Sequence, residues 1–107
     1  MKVEYNNLYT HFIFITQNRI PAILEENRER IEKYITGIVN NNHSKLYAIY
    51  ANPDHVHCFV SRAPFISEEA LVTIITESAE KFINENKLSI VIFAWQQSAA
   101  AFFSFKI

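Results

Sequence analysis

The spacing of hydrophobic residues changes along this chain, and the changes predict four strands and two helices. Short segments rich in β-branched and aromatic residues are typical of strands. Two longer segments place apolar residues every three or four positions, as amphipathic helices do. The strands are predicted at residues 8–16, 45–51, 55–62 and 90–95, and the helices at residues 22–40 and from Ser67 to about Asn86.

Each predicted helix has one apolar stripe that we expect to be buried. The stripe of the first consists of Leu24, Ile31, Tyr34, Ile35 and Ile38, and that of the second of Leu71, Ile74, Ile75, Ser78 and Phe82. Ser67 is a good N-cap for the second helix, because its hydroxyl can accept a hydrogen bond from a free backbone amide of the first turn.

The order of these elements is βαββαβ, which predicts an α+β fold of the ferredoxin-like type. In that fold a four-stranded antiparallel sheet carries two helices on one face and leaves its other face open. The turn at residues 52–54 joins the second and third strands into a hairpin. A chain of 107 residues is enough for one such domain, spanning residues 1–107, and too short for two.

Composition narrows the possible functions. Half of the residues are hydrophobic, which is typical of a globular domain. The formal net charge of −1 gives no general attraction for phosphate, so any nucleic-acid role must depend on a local patch or pocket. The single cysteine, Cys58, cannot form an internal disulfide, and its place on the core face of a strand predicts a buried, inert thiol. No apolar run approaches the ~20 residues that span a bilayer, and the polar N-terminus is unlike a secretory signal, so we expect a cytoplasmic protein with no membrane partner.

The third predicted strand carries a pair of histidines on one face. Strand side chains alternate, so His55 and His57 point the same way, while the intervening valine points into the core. Imidazoles are common ligands of transition metals, which makes a shared metal ion the functional interpretation and a purely structural pair the alternative.

A metal site at this pair needs further ligands, which the pattern does not clearly supply. Asp54 is adjacent, but its place in the turn leaves its role open. His11, on the first strand, is a candidate to contact one of the two metal-ligating histidines without itself binding the metal. His43 lies in a predicted loop, where we expect a solvated side chain.

Three blocks of the sequence resemble the insertion-sequence-200-like transposases. Residues 10–21 resemble the opening strand and turn of that family, and residues 52–61 resemble its histidine–hydrophobe–histidine motif. Trp95-Gln96-Gln97, with the small and apolar residues that follow, is similar to the tryptophan–glutamine segment near the end of the family's sheet. The blocks follow the family order and cover nearly the whole chain.

The resemblance implies a small dimeric protein that binds DNA hairpins and cuts and rejoins single-stranded DNA. It implies that His55 and His57 hold a divalent metal, Mg²⁺ or Mn²⁺, which polarises the scissile phosphate. In the family a tyrosine on a C-terminal helix attacks the phosphorus and becomes joined to the 5′ end. A polar residue of the same helix completes the metal shell.

The nucleophile has no match in this sequence. All five tyrosines precede the histidine motif, and the last is Tyr50. The family continues beyond the position of Ile107 into the tyrosine helix, and the third metal ligand is missing for the same reason. We expect Tyr34, Tyr47 and Tyr50 to be packing residues, and the chain to be catalytically inactive.

Few basic residues are available for DNA. Lys81 is the only one between Ser67 and Asn86, where family members usually present lysines. Arg19, Arg62 and Lys45 are the candidate contacts to the DNA backbone, and ordinary surface charges are the alternative.

The apolar residues 99–107 either extend the last strand into the core or pair with a second copy, and we expect a homodimer. Three functions stay open. The first is a transposase-family protein that binds single-stranded or hairpin DNA without strand transfer. The second is a non-enzymatic dimerisation module that pairs with and inhibits intact transposase. The third is a small nuclease that uses metal and water.

Overall fold

The computed structural model describes residues 9–96, which form three strands and two α-helices. The elements are β1 (Tyr9–Ile15), α1 (Arg28–Asn41), β2 (Lys45–Ala51), β3 (His55–Ser61) and α2 (Glu68–Glu85). Short 3-10 turns at Gln17–Arg19 and Glu25–Asn27 lie between β1 and α1. The predicted apolar segment at residues 99–107 lies outside the described residues.

The three strands form an antiparallel sheet in the order β1-β3-β2, so β3 is the central strand. The hairpin of β2 and β3 was predicted correctly. Its ladder is interrupted by a register shift between Leu46 and Ala48, which leaves Tyr47 as an extra residue in β2. Such a bulge increases local twist and redirects side chains.

The predicted fourth strand at residues 90–95 does not form. Within residues 9–96 the sheet has three strands, and the four-stranded ferredoxin-like topology is not confirmed. Among the described residues, the strand pairing of this segment is limited to an isolated antiparallel bridge, Thr16 to Trp95. The α+β class is confirmed.

The reason lies in where the backbone of the segment finds its hydrogen bonds. The side-chain amide of Asn84, on α2, accepts from the amide N–H of Phe93 (2.7 Å) and donates to the carbonyl of Phe93 (2.9 Å). A helix side chain therefore replaces a neighbouring strand at this point. Ile90 and Ile92 are 86% and 90% exposed, so the β-branched run that predicted a strand does not pack in the core.

The two helices cover one face of the sheet, as predicted. The core is built from side chains of the sheet, the helices and the segment after α2, and it includes Trp95. Its largest fully buried side chains are Phe12, Phe14, Ile31, Ile35, Leu71, Ile75, Ile83 and Phe93. Neither helix of residues 9–96 is both long and apolar enough to cross a membrane.

The first helix begins later than predicted. Ala22 and Ile23 are buried in a non-helical segment, where the N–H of Ile23 donates to the carbonyl of Pro53. This contact with the β2–β3 turn holds the chain in an extended form until the 3-10 turn before Arg28. Apolar spacing alone could not separate a buried loop from a first helical turn.

The second helix has the predicted ends. The hydroxyl of Ser67 accepts from the N–H of Ala70 (3.0 Å), and Asn86 is the C-cap. The buried stripe is rotated slightly from the prediction: Leu71 and Ile75 are buried as expected, and the remaining buried residues are Val72, Ala79 and Ile83.

Candidate metal and DNA-binding site

The central strand β3 presents the two histidines side by side on the open face of the sheet. Val56 and Cys58 are fully buried under the helices, and His55 and His57 alternate with them. The centroids of the two imidazole rings are 4.8 Å apart. The predicted placement of the pair is therefore confirmed, and the backbone of both residues is fixed by pairing with β1 and β2.

Polar contacts with Asp54, in the preceding turn, support His55. Asp54 Oδ1 lies 2.6 Å from Nδ1 of His55, and Asp54 Oδ2 lies 3.3 Å from Nη2 of Arg19. The hydrogen bond to His55 and the charge of Arg19 hold the pKa of the Asp54 carboxyl below its usual range. The adjacent carboxylate noticed in the sequence thus contacts the imidazole directly.

His57 has its own imidazole neighbour. His11 Nε2 lies 3.3 Å from His57 Nδ1, so the expectation that β1 brings His11 beside the pair is confirmed. Burial, and then the charges of His55 and His11, lower the pKa of His57. His57 is therefore neutral at physiological pH, which is the form that binds metals. His43 is exposed in the loop after α1, as expected, and its ring contacts Phe65.

The donor chemistry of this site fits part of a divalent-metal shell. Two imidazoles at same-face positions of β3 supply two nitrogen ligands, which suits Mn²⁺ better than the oxygen-preferring Mg²⁺. Within residues 9–96 no group of three or more His, Cys, Asp or Glu side chains is arranged to hold a metal. Water, a phosphate oxygen or another residue would have to complete the shell.

The three basic candidates lie in different environments. Arg19 is in a left-handed turn (φ 53°), and its side chain is 58% exposed beside Asp54. Lys45 is exposed at the start of β2, with its Nζ 4.9 Å from the ring centroid of Tyr47.

Arg62 is placed differently, because it is only 8% exposed. Its guanidinium donates to the carbonyl of Ile66 and lies 3.8 Å from the carboxylate of Glu68. The group thus faces the start of α2 rather than solvent.

An aromatic cluster formed by Tyr9, Tyr47 and Phe59 was not predicted from the sequence. Tyr9 stacks with Phe59 at 5.9 Å, and Tyr47 lies 5.6 Å from Tyr9 and 6.0 Å from Phe59 between ring centroids. The alternation of Tyr9 with His11, and of Phe59 with His57, was the available signal. The position of Tyr47 depends on the bulge in β2, which no pattern revealed.

The remaining tyrosines are partly as predicted. Tyr34 is a packing residue, stacked on Phe82 at 3.9 Å. Tyr47 and Tyr50 also pack, but on the surface rather than in the core, because they are 48% and 50% exposed. Tyr47 contacts Tyr9 and Phe59, and the guanidinium of Arg28 lies over the ring of Tyr50. β2 is an edge strand within the described residues, and its side chains are therefore less covered than those of β3.

These features define an α+β domain whose central strand places a histidine–hydrophobe–histidine pair, half-buried, on the sheet face opposite the helices. The family model "Transposase IS200 like" matches residues 4–104, and the chain belongs to this family, whose role is in DNA transposition. The resemblance drawn from the three sequence blocks is thus confirmed. A comparison with curated proteins gave no significant match.

Solved structures share the fold. A Deinococcus radiodurans R1 protein provisionally described as a transposase has a TM-score of 0.82 and 17% identity, with coverage of 100% of this chain and 86% of that one. A REP-associated tyrosine transposase bound to a REP hairpin has a TM-score of 0.68 and 15% identity. This chain is covered completely in that match and spans 61% of the length of that protein.

Proposed function

We propose that this protein binds single-stranded or hairpin DNA through the open face of its sheet, in a process related to DNA transposition, with a divalent metal at His55 and His57. The observation that carries the proposal is the same-face histidine pair, with ring centroids 4.8 Å apart, in a chain of the IS200-like transposase family. A cytoplasmic location remains a prediction.

The protonation state of His57 and the position of the pair support metal binding. The lowered pKa of His57 keeps a lone pair available near neutral pH, and the ligands lie on the central strand, so little ordering is needed on binding. When bound, Mn²⁺ or Mg²⁺ supplies Lewis-acid polarisation of a phosphate oxygen. The residues of this chain hold the cation and present it at an uncovered surface.

The surroundings of the pair support a nucleic-acid ligand. The carboxylate of Asp54 contacts both Arg19 and His55, and the exposed guanidinium of Arg19 offers a cation for a phosphate. Lys45 and the aromatic cluster flank the same face, and exposed aromatic rings are common stacking surfaces for unpaired bases. The hairpin ligand of the REP-associated relative supports hairpin DNA as the first candidate.

Arg62 was a further candidate contact. Its enclosed guanidinium supports a structural role at the start of α2, so the proposal depends on Arg19 and Lys45.

The chain is proposed to bind DNA without forming a covalent tyrosine–DNA bond. Tyr34 is stacked between the helices, away from the open face. Tyr9 lies on the open face, but a hydrogen bond with Tyr47 raises the pKa of its phenol. A nucleophile requires the opposite shift, because the phenolate is the attacking form.

A non-enzymatic dimerisation module is the second candidate. Its support is the exposure of Ile90 and Ile92, at 86% and 90%, on a segment whose backbone makes few hydrogen bonds to the sheet. Such a segment offers apolar contacts to a second copy or to an intact transposase chain. A homodimer is compatible with both candidates.

The first test is a calorimetric Mn²⁺ titration of the wild-type protein and of the His55→Ala/His57→Ala double variant. We expect binding in the wild type and its loss in the variant. The matched control is His43→Ala, which removes an exposed imidazole from another loop and is expected to leave binding unchanged. Absence of binding in the wild type would refute the metal.

The second test is fluorescence anisotropy with a labelled DNA hairpin, a single strand and a duplex at low salt. We expect preference for the first two and a weak salt dependence, because few cations face the DNA. Equal binding to duplex would refute the preference for single-stranded and hairpin DNA. Absence of binding to any DNA would refute DNA recognition and favour the dimerisation module. Mixed dimers would then be sought by size-exclusion chromatography with an intact family member.

A further inference from the structure

The carboxylate of Asp54 is the closest polar neighbour of a proposed metal ligand, and both of its oxygens are in use. Oδ1 lies 2.6 Å from Nδ1 of His55, and Oδ2 lies 3.3 Å from Nη2 of Arg19. Asp54 is the only aspartate in the chain. Its backbone carbonyl separately accepts hydrogen bonds from the N–H and the hydroxyl of Thr16, so the turn is fixed without the side chain.

The chemistry of a short carboxylate–imidazole contact determines which nitrogen carries the proton. An ionised carboxylate can only accept hydrogen bonds, so the proton must lie on Nδ1 of His55. In a neutral imidazole the other nitrogen, Nε2, then has a free lone pair. The two nitrogens lie on different sides of the ring, so the Asp54 carboxylate contacts the side of the imidazole away from Nε2.

We infer that Asp54 is a positioning residue that fixes the Nδ1–H tautomer of His55 and directs its Nε2 toward a divalent cation, with Arg19 holding the carboxylate in place. This inference depends on the proposed metal role of the histidine pair. Hydrogen bonds from ligand histidines to carboxylates are a general device for fixing tautomer and ring orientation and for raising ligand basicity.

Two other roles for Asp54 agree less well with the geometry. A direct ligand would have to release the hydrogen bond to His55 or the ion pair with Arg19, because each occupies one oxygen. A purely structural turn residue would not need the side chain, since the backbone carbonyl already makes the contacts with Thr16.

The experiment compares wild type, Asp54→Ala, Asp54→Asn and Glu77→Gln. Glu77 is exposed on α2, and its substitution changes the net charge by the same amount as Asp54→Asn. The first readout is the tautomer of each histidine in the metal-free protein, from two-bond ¹H–¹⁵N NMR correlations above the imidazole titration range. The second is Mn²⁺ affinity by calorimetry on the same samples.

We expect His55 to be the Nδ1–H tautomer in wild type and Glu77→Gln, and to shift toward Nε2–H in Asp54→Ala, while His57 stays unchanged. Mn²⁺ affinity should fall about 10- to 100-fold in Asp54→Ala, fall less in Asp54→Asn, whose amide oxygen can still accept, and change less than about twofold in the control.

An Nε2–H tautomer of His55 in wild type, or the same tautomer in wild type and Asp54→Ala, would overturn the inference. So would an unchanged Mn²⁺ affinity in a variant whose tautomer has shifted. If the wild type binds no Mn²⁺, the proposed metal role fails, whereas the tautomer still decides whether Asp54 orients His55. The two failures are therefore distinguishable.

Discussion

Trp95 is expected to be the main attachment of residues 88–96 to the core, and replacing it with alanine tests this. Its side chain is 3% exposed, and its ring centroid lies 5.8 Å from that of Phe14 and 4.8 Å from that of Phe93. Its indole N–H donates to the carbonyl of Thr76 on α2 (3.0 Å). Loss of a buried tryptophan side chain costs about 3–5 kcal/mol, because the transfer energy and the cavity both count.

Two further variants separate the contributions. Trp95→Phe keeps most of the aromatic packing and removes the indole donor, so it should lower the free energy of unfolding by about 1–2 kcal/mol. Ile92→Ala is the matched control in the same segment: Ile92 is 90% exposed, and its truncation should change stability by no more than about 0.5 kcal/mol.

The assay is urea unfolding followed by far-ultraviolet circular dichroism. Tryptophan fluorescence cannot be used, because Trp95 is the only tryptophan and both Trp95 variants lack it. The denaturant slope should stay constant while the midpoint falls. If Trp95→Ala costs less than about 1 kcal/mol, or no more than Ile92→Ala, the indole is not an anchor and the account of this segment is refuted.

Three further predictions concern pH, the thiol and a helix cap. The pKa of His57 is lower in the folded protein than in the unfolded chain, so the unfolded chain binds the proton more readily and the free energy of unfolding should decrease as pH falls below about 6.5. The lowered pKa of Asp54 should add a second decrease below about 3.9. Urea midpoints that rise on acidification would contradict both expectations. Burial raises the pKa of the Cys58 thiol to about 12, so Ellman's reagent should modify it only after unfolding, and rapid reaction in native buffer would contradict its place in the core. Ser67→Ala should cost about 1 kcal/mol by removing the cap of α2, whereas the exposed Thr73→Ala control should be neutral or slightly stabilising, and equal urea midpoints for the two variants would contradict the cap.

The histidine pair could be predicted from sequence because a strand has a strict two-residue period. The face of His55 and His57 follows from the apolar residues between them, and the cap at Ser67 depends on equally local chemistry. Even the contact of His11 with His57 followed from placing two strands side by side.

The errors arose where contacts distant in sequence override local preference. Residues 90–95 have strong strand character, but Asn84 from α2 takes the hydrogen bonds of Phe93. The exposure of Tyr47 and Tyr50 follows from the edge position of β2 within residues 9–96, which the pattern along the chain does not show. Arginine is usually a surface residue, and only the fold shows that Arg62 is enclosed.

The central position of β3 has a consequence for how the site can be lost. Because β3 is paired on both sides, its amide hydrogens should exchange only when the whole domain opens, so the two imidazoles keep their spacing for as long as the protein is folded. A cation held there would stabilise the folded state as a whole, by an amount set by its concentration relative to its dissociation constant. Lys45, by contrast, lies at the start of β2, which is an edge strand within residues 9–96. A substitution there can alter the DNA that is bound while leaving the metal ligands in register, so affinity for DNA can change independently of the ligand geometry.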